Sequence, residues 1–511
     1  MRILFWTELF WPSIGGIEVR CLSLASALAS RGHEVAVITS HGNEPLPDDD
    51  SINGIAIFRF RFLEALASRR LDLFASERRR LATVKGRFRP DVVHVMFTDP
   101  TVLFHWQTQQ ARPCPTVVSI PIGIESLEAG PDTLLHHTLC DAAWTVAVSE
   151  AMLDDVLRLV PEISGRSSVI HNSIDEPEMQ PSPLPFDPPQ LLCLGRVVRE
   201  KGFDIAIDAF SRMKRERFPG IRLVIAGDGP AREELEVQAA ALDLSDSVIF
   251  TGWVQPDDVP ALIDSATVMI VPSRWREAFG NVAVQAMQMG RPVIAADVGG
   301  IPEIVAEGIT GYIVPSESPD ILARTMERLL VERETAVRLG AAGRARAVKD
   351  FPFERHVDEH EQLYRRIMRY KPKTDNTAAT VIDGEAIIVN LTTGVYYSMD
   401  KVGAEVWEMM EQGLSLHEIS AAIAARHEIE QDKALADIEA LAGKLVAEDL
   451  IEMSAAPGAD AVPPLVGADR LPYAIPSLEI YRDMGDLLAL DPPMPGLRDI
   501  PFHGTSERSG Q

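Results

Sequence analysis

The stretch at 277–297, "EAFGNVAVQAMQMGRPVIAAD", contains a loop, a helical pattern and a strand pattern in direct succession. Apolar residues recur at helical spacing after Gly280, and "PVIAAD" is the short apolar run of a buried strand. A helix that starts near Gly280 leaves the N–H groups of Gly280, Asn281 and Val282 unpaired, where the helix dipole favours an anion. The stretch therefore predicts a helix–strand unit with a phosphate site at the helix start.

Similar alternation of short strands and longer helices extends over the first 350 residues. It breaks at the proline-rich segment 180–190, which is typical of a linker, and then restarts. Such alternation predicts parallel sheets covered by helices on both faces. We predict an α/β fold with two tandem Rossmann-like, doubly wound domains, at 1–180 and 190–353. Ligands of such sheets bind at the carboxyl ends of the strands, so a cleft is expected between the two domains.

The pattern changes after a charged helix at about 354–370. The stretch 380–400, "TVIDGEAIIVNLTTGVYYSMD", has two glycine-containing turn signals between β-branched and aromatic runs, which indicates an antiparallel meander. Three helical segments follow, and Ser415 with Glu418 forms a capping box before the second. We predict a small α+β, winged-helix-like domain at 376–453, followed by a linker and flexible tail at 454–511.

The composition restricts the class of protein. The formal charge of −26 argues against a nucleic-acid partner. From Asp375 to the end there are 24 acidic and 8 basic residues, so 24 minus 8 leaves this segment at −16. No run approaches the roughly 20 apolar residues of a membrane span. The cysteines lie too far apart for a metal or disulfide framework, which favours a cytoplasmic location. They are Cys21, Cys114, Cys140 and Cys193.

Two charged stretches have open interpretations. The basic stretch 59–90 is typical of solvated helix faces, with peripheral contact to the inner membrane face or an anionic acceptor as the alternative. The acidic run "PDDD" at 47–50 lies in a predicted loop, and we interpret it as solvated rather than as a metal site. No metal site is predicted.

Cations and glycines in both domains point to a phosphate ligand. Arg196 and Lys201 follow a predicted strand, at the edge where the cleft opens, and two cations there can neutralise a leaving phosphate. "AGDGP" at 226–230 ends the next strand in a glycine turn that lets backbone approach a ligand. Gly15 and Gly16 offer a second such turn in the first domain, although a glycine pair alone is usually a plain turn.

The order of these features gives a family resemblance. "GGIE", "VSEAM", "VIHNSID", "LGRVVREKG", "IAGDGP" and "FTGWV" lead to the long motif at 277–315, "EAFGNVAVQAMQMGRPVIAADVGGIPEIVAEGITGYIVP". The first 370 residues resemble retaining glycosyltransferases of family 4, which have the two-domain GT-B fold. The resemblance implies a nucleoside-diphosphate sugar as co-substrate, no cofactor and no metal. It also implies that the helix near 354–370 crosses back to the first domain.

The resemblance also implies roles for individual residues. Glu277 would hold hydroxyls of the donor sugar, and Arg196 and Lys201 would bind its diphosphate; these three are the candidate catalytic residues. Backbone around Trp253 and Val254 would flank the nucleobase. The candidate donor-binding residues are Gly15, Gly16, Gly195, Gly227, Gly229, Trp253, Val254, Phe279, Gly280, Asn281 and Gln285.

Two positions depart from the family pattern. Members usually carry a second glutamate where this chain has Gln285, facing the donor's ribose. An amide offers one acceptor oxygen instead of a carboxylate's two, so donor affinity should fall by about 1–2 kcal/mol, or roughly tenfold. Members also usually carry a histidine where this chain has Pro121. His94 lies nearby in sequence, and we interpret it as a packing residue at a strand end.

Residues 376–452 resemble the PqqD-like family, whose members bind leader peptides by strand addition. A structural or oligomerisation appendage is the alternative. The tail stretch "YAIPSLEIYRDMGDLL" is similar to such leader peptides, with Tyr473, Pro476 and Leu478 at their usual relative spacing. We hypothesise that it docks on this chain's own domain or on a neighbour's. A disordered tail is the alternative.

These inferences leave several functions open. The leading hypothesis is sugar transfer from a nucleoside-diphosphate sugar to a peptide delivered by its leader, or to a saccharide or lipid-linked acceptor. The alternative is a non-catalytic or weakly catalytic GT-B scaffold that binds peptides or protein partners in a modified-peptide or glycan pathway. A GT-B phosphorylase or epimerase is a third hypothesis.

Overall fold

The structure, a computed structural model, describes residues 1–13, 15–42, 45–97, 99–121, 130–375, 377–454 and 470–482. These residues form two compact units, one from Met1 to Tyr364 and the other from Arg365 onward. Among the described residues, no helix combines the length and the apolar content that a bilayer crossing requires.

The first domain contains an eight-stranded sheet in the order β3-β4-β2-β1-β5-β6-β7-β8. Its strands are β1 Arg2–Trp6, β2 Glu34–Ser40, β3 Asp49–Ile52, β4 Ile55–Phe60, β5 Val92–Val95, β6 Thr116–Ile120, β7 Trp144–Ala147 and β8 Ser167–Val169. Its helices are α1 Gly16–Ser30, α2 Phe62–Ser68, α3 Leu71–Phe88, α4 Val102–Gln107, α5 Leu134–Asp141 and α6 Glu150–Leu159. Neighbouring strands pair in parallel except β3 and β4. The predicted α/β fold is therefore confirmed, with one antiparallel edge strand added.

The structure of the acidic run at 47–50 differs in part from the prediction. Asp49 and Asp50 begin β3, so the predicted loop is wrong at its end. Asp50 pairs with Arg59 at 2.9 Å, and Asp49 pairs with Arg80 at 2.7 Å. The Arg59 side chain is only 1% exposed. Asp50 therefore neutralises a buried arginine of the basic stretch, because an unpaired buried guanidinium would be costly. The Asp49 side chain is 72% exposed, as the solvated interpretation expects.

The second domain contains a six-stranded parallel sheet in the order β11-β10-β9-β12-β13-β14. Its strands are β9 Gln190–Leu194, β10 Arg222–Ala226, β11 Val248–Gly252, β12 Val268–Val271, β13 Val293–Ala296 and β14 Gly311–Val314. Its helices are α7 Phe203–Arg212, α8 Arg232–Ala241, α9 Val259–Asp264, α10 Asn281–Gln288, α11 Ile301–Ile304, α12 Pro319–Val331 and α13 Arg333–Asp350. Leu191 and Cys193 lie in one buried cluster and Leu192 in another. Alternate residues of β9 thus face opposite cores, as a doubly wound sheet requires.

Helix α14, Phe353–Ile367, contacts the first domain as expected and ends three residues before the predicted boundary. The Tyr364 hydroxyl lies 2.6 Å from Nδ1 of His94 in β5. Arg31, at the end of α1, pairs with Glu354 and Asp358, both at 2.7 Å. These contacts connect the end of the second domain to the first.

The C-terminal unit contains two small antiparallel sheets, β15–β19 and β16-β17-β18-β20. Its strands are β15 Tyr370–Pro372, β16 Thr377–Ile382, β17 Glu385–Asn390, β18 Tyr396–Met399, β19 Ile451–Met453 and β20 Leu478–Tyr481. Its helices are α15 Lys401–Glu411, α16 Leu416–Arg426 and α17 Gln431–Ala447. The predicted meander, the three helices and the capping box of Ser415 and Glu418 are all confirmed. Trp407 lies in the core of this unit.

Candidate active site

Two of the three candidate catalytic residues form a contact at the carboxyl edge of the second sheet. Lys201 ends the short turn that follows β9, and Glu277 lies in the loop between β12 and α10. The Lys201 ammonium donates to Oε1 of Glu277 at 2.6 Å, and the Ser273 hydroxyl donates to the same oxygen at 2.7 Å. The Lys201 and Glu277 side chains are 26% and 17% exposed. Because both are partly withdrawn from water, the Coulomb attraction between them is less screened than that of a fully exposed pair.

Arg196 has a different environment. It is exposed and lines the same cavity as Lys201. Within the described part of the chain, no carboxylate makes an ion pair with its guanidinium. Arg276, by contrast, also lines the cavity but pairs with Asp155 at 2.7 Å. Arg196 is therefore the cation of this cavity that is most readily available to an incoming anion.

The cavity has a volume of about 720 Å³, within the range of small-molecule sites. The candidate residues that line it are Gly15, Gly16, Arg196, Lys201, Glu277, Phe279, Gly280 and Asn281. The remaining candidates, which do not line it, are Gly195, Gly227, Gly229, Trp253, Val254 and Gln285. The predicted helix start is confirmed: Gly280 caps α10 with a φ of 115°. The cavity thus combines cations with a helix N-terminus.

Close backbone packing holds the Glu277 loop in place. The Gly300 N–H donates to the Glu277 carbonyl at 2.8 Å, and the Ser149 hydroxyl donates to the Ala278 carbonyl at 2.6 Å. A Cβ at Gly299, whose φ is 56°, would lie 2.0 Å from the Glu277 carbonyl oxygen. Only glycine therefore permits this approach at position 299.

This packing gives a test of the loop. Gly299→Ala should lower kcat/KM by about tenfold, because the clash moves the Glu277 carbonyl and side chain, and small displacements at a site are costly. Gly308→Ala is the matched control, since Gly308 has a φ of 67° and nothing within 4 Å of its Cβ position. Left-handed backbone strain should cost both variants about 1 kcal/mol of stability, and Gly299→Ala should lose more, because its Cβ also clashes with the Glu277 backbone. Equal activity losses in steady-state assays would contradict the clash argument.

The glycines after β9 and β10 have a packing role that sequence reasoning did not anticipate. A Cβ at Gly227 would lie 1.9 Å from the Gly195 carbonyl oxygen, and one at Gly229 would lie 2.4 Å from the Val197 carbonyl oxygen. The two turns are also joined by a hydrogen bond from the Val197 N–H to the Asp228 carbonyl, at 2.9 Å. Backbone packing is thus sufficient to require these glycines, and donor binding by them stays a prediction.

A polar chain across the cavity was missed from the sequence. Arg20 donates to the Gly16 carbonyl at 3.0 Å and to the Asn172 side chain at 2.5 Å. The Asn172 amide in turn lies 3.4 Å from the Asn281 side chain at the start of α10. Burial lowers the pKa of Arg20 to about 10, so it remains charged at neutral pH. The "GGIEVR" and "VIHNSID" stretches carry Arg20 and Asn172, but only the fold brings them together.

Pro121 lines the cavity, as the position of the family's histidine suggests. His94 is fully buried and contacts Tyr364 at 2.6 Å and Ser119 at 2.7 Å. Burial lowers its pKa to about 3. The prediction that His94 is a packing residue is confirmed. Residues 122–129, which directly follow Pro121, lie outside the described residues.

Trp253 and Gln285 are two of the candidates that do not line the cavity. The Trp253 side chain is 61% exposed and follows β11. Gln285 lies inside α10, one turn beyond the cavity lining, and is partly buried. Their proposed roles toward the base and the ribose stay predictions.

The cysteines are all free, as predicted, and three are buried. Cys140 is the partly exposed one, and it lies one helical turn after His136 in α5. Side-chain atoms of these two residues and of Glu162 that could bind a metal ion lie within 4.8 Å of one another. Burial and then Glu162 raise the pKa of the Cys140 thiol. This group does not line the 720 Å³ cavity.

Three segments of the chain match known protein families. Residues 14–178 match Glycosyltransferase Family 4, and residues 175–346 match Glycosyl transferases group 1. Residues 385–451 match the family of coenzyme PQQ synthesis protein D, PqqD. The chain is therefore a glycosyltransferase with the GT-B fold, belonging to family 4 and carrying a C-terminal PqqD domain.

Individual relatives differ in the share of this chain that they match. An uncharacterized glycosyltransferase of Methanocaldococcus jannaschii is 28% identical over 360 residues, which cover 65% of this chain and 89% of that protein. A GDP-mannose-dependent phosphatidylinositol monomannoside mannosyltransferase of Mycobacterium tuberculosis is 40% identical over 162 residues, which cover 30% and 42%. The crystal structure of Anabaena HepE in complex with UDP has a TM-score of 0.59 at 19% identity, covering 71% of this chain and 99% of that chain. The last similarity shows the fold alone.

Proposed function

We propose that the chain transfers a sugar from a nucleoside-diphosphate sugar to an acceptor, with retention of configuration and without a metal ion. The observation that carries this proposal is the grouping of Arg196, the Lys201–Glu277 pair and the N-terminus of α10 around one cavity. HepE was solved with UDP, and the mannosyltransferase is dependent on GDP-mannose, which supports a nucleotide donor without selecting its base.

The proposed chemistry uses charge stabilisation and positioning. As the bond from the anomeric carbon to the phosphate oxygen breaks, Arg196, Lys201 and the helix N-terminus stabilise the negative charge on the departing diphosphate. The acceptor hydroxyl attacks from the same face and passes its proton to the leaving phosphate oxygen. Glu277 holds the sugar hydroxyls, which fixes the ring beside the acceptor. The protein itself supplies the positive charge, so no metal is needed in this scheme.

Donor turnover tests the proposal directly. The purified full chain is incubated with UDP-, GDP- and ADP-sugars and nucleotide release is measured. NMR then gives the anomeric configuration of the glycoside formed on an added acceptor, since a free sugar released by hydrolysis would lose its configuration by mutarotation. We expect slow release with one nucleotide class, a product with the donor's configuration, and no effect of excess EDTA. An inverted product or EDTA inhibition would refute the corresponding part of the scheme.

Pro121 favours a second candidate function. It lines the cavity where the family usually has histidine, and proline offers no side-chain hydrogen bond or proton. A GT-B scaffold that binds the donor without turnover would fit this change. Tight nucleotide binding with no release from any donor, even with candidate acceptors, would support the scaffold.

The C-terminal domain is proposed to recognise a peptide. The match to PqqD and the small antiparallel sheet of this unit support the role, since extended peptides add to such edges through main-chain hydrogen bonds. The acceptor would then be the peptide itself, or a glycan whose transfer the domain directs. Transfer to a peptide with and without its leader segment distinguishes these two acceptors.

A further inference from the structure

The chain's own tail forms the outer strand of the sheet in the C-terminal unit. Strand β20, Leu478–Tyr481, pairs antiparallel with β18, and Met399 and Tyr397 lie opposite Leu478 and Ile480. In the sheet order β16-β17-β18-β20, the tail strand covers the free edge of β18. Without β20, β18 would present unpaired N–H and C=O groups to another strand.

A second main-chain contact holds the beginning of the tail segment. The Leu471 N–H donates to the Arg426 carbonyl at 2.8 Å, and the Glu428 N–H donates to the Leu471 carbonyl at 2.9 Å. Nδ1 of His427 lies 3.3 Å from the Pro472 carbonyl oxygen. Residues 470–482 therefore pair with backbone at two separate places, the end of α16 and the edge of β18.

Three side chains of the segment also anchor it on the domain. The Tyr473 hydroxyl donates to Asp437 in α17 at 3.0 Å, and its ring lies edge-on to His427. Pro476 is buried, and Leu478 packs against the domain core. These three anchors have the spacing that made the tail similar to a leader peptide.

The segment's other apolar residues remain outside the core. Ile475, Ile480 and Leu471 are 63%, 40% and 54% exposed. At its end, Arg482 pairs with Glu448 at 2.7 Å, and Arg482 is itself 63% exposed. A strand held by a few anchors and an exposed ion pair is weakly bound for its length, because exposed pairs add little.

We propose that the edge of β18, the end of α16 and Asp437 of α17 form a peptide-binding groove, and that residues 470–482 are its built-in occupant, which a substrate peptide must displace. The substrate is an extended peptide with a tyrosine, a proline three positions later and an aliphatic residue two positions after that. A basic residue four positions further on meets Glu448. The proposal rests on the peptide-recognition role given above, and it adds that the site's own tail sets the threshold for peptide binding.

The tether makes the effect measurable. A short linker holds its ligand at an effective concentration of about 1 mM. If a free peptide of the tail sequence binds with a Kd of about 10 µM, the tethered tail weakens apparent binding by about 100-fold. Removing the tail from the groove should therefore tighten apparent peptide binding by about 100-fold.

The test uses the full chain and a fluorescein-labelled synthetic peptide of residues 470–482, followed by fluorescence anisotropy. Leu478→Asp releases the tail, because a carboxylate cannot replace a side chain that packs on the core. Tyr481→Asp is the matched control: it adds the same charge to the same strand, but on the opposite face and at a 41% exposed position. A chain without residues 470–511 serves as a second released form.

The labelled peptide should bind Leu478→Asp and the truncated chain about 100-fold more tightly than the wild type or Tyr481→Asp. Equal affinity for all four, or no binding to either released form, would overturn the proposal. Nucleotide release from donor sugars is measured on the same preparations. Normal release with unchanged peptide affinity refutes the tail inference alone, whereas peptide binding without any release refutes sugar transfer and leaves the tail inference standing.

Discussion

Lys201→Ala is expected to lower kcat/KM for donor turnover by about 10²–10³-fold. The ammonium has two proposed tasks: it neutralises charge on the departing diphosphate, and it holds the Glu277 carboxylate through the 2.6 Å contact. Loss of one preorganised donor to a developing charge typically costs about 3–4 kcal/mol. The substitution also leaves a partly buried carboxylate without its counter-ion, which adds to the loss. Steady-state kinetics with the cognate donor measure the effect.

Arg199→Ala is the matched control. Arg199 lies in the same turn and carries the same charge, yet it is absent from the cavity lining. Its removal should change kcat/KM by less than about threefold, since exposed charges in water interact weakly. If Arg199→Ala lowers kcat/KM as much as Lys201→Ala does, the loss reflects the overall electrostatic field of the domain instead of contact with the diphosphate.

Arg196→Ala separates the two tasks of Lys201. Arg196 offers a cation to the same cavity but has no carboxylate partner among the described residues, so its loss affects the diphosphate alone. We expect about a 10²-fold decrease in kcat/KM. A smaller effect than that of Lys201→Ala would identify the Glu277 contact as the additional role of Lys201.

The parts of the fold that the sequence predicts are those fixed by local chemistry. The start of α10 at Gly280 and the capping box at Ser415 depend on residues a few positions apart, so local patterns are sufficient. The alternation of strands and helices likewise requires parallel sheets covered on both faces. The cluster of candidate residues at 277–281 follows, because one loop and one helix start bring them together.

The missed features depend on residues far apart in the chain. Arg20 and Asn172 lie 152 positions apart and meet only when the first domain closes around its sheet. Asp50 forms an edge strand because β4 offers a free edge and Arg59 needs a counter-ion, and neither requirement is visible in "PDDD". Gly227 suggests a ligand turn by its sequence, whereas in the fold the Gly195 carbonyl occupies the space of a side chain. Long-range packing therefore decides between the uses of a residue that a local motif leaves open.

Glu277→Gln is the second substitution with a large expected effect, and it should lower kcat by about 10²-fold. Both hydrogen bonds that the described residues give to this carboxylate end on Oε1, from Lys201 and Ser273, so Oε2 remains for sugar hydroxyls. The amide keeps the size of the side chain but loses its charge and one acceptor oxygen. Each hydrogen bond to a charged group contributes about 1.5–3 kcal/mol, and the proposed geometry places this loss at the reacting sugar.

Two comparisons show whether Glu277 acts on the sugar or only supports the loop. Ser273→Ala removes one hydrogen bond to Oε1 and leaves Oε2 unchanged, so we expect kcat to fall by about tenfold. If its loss equals that of Glu277→Gln, the carboxylate mainly holds the loop. Gln285→Glu should instead lower the donor KM by about tenfold with kcat unchanged, because a ribose contact is remote from the bond that breaks. Glu277→Gln is thus expected to change kcat, and Gln285→Glu is expected to change KM. A Glu277→Gln enzyme altered only in KM would place Glu277 away from the reacting sugar.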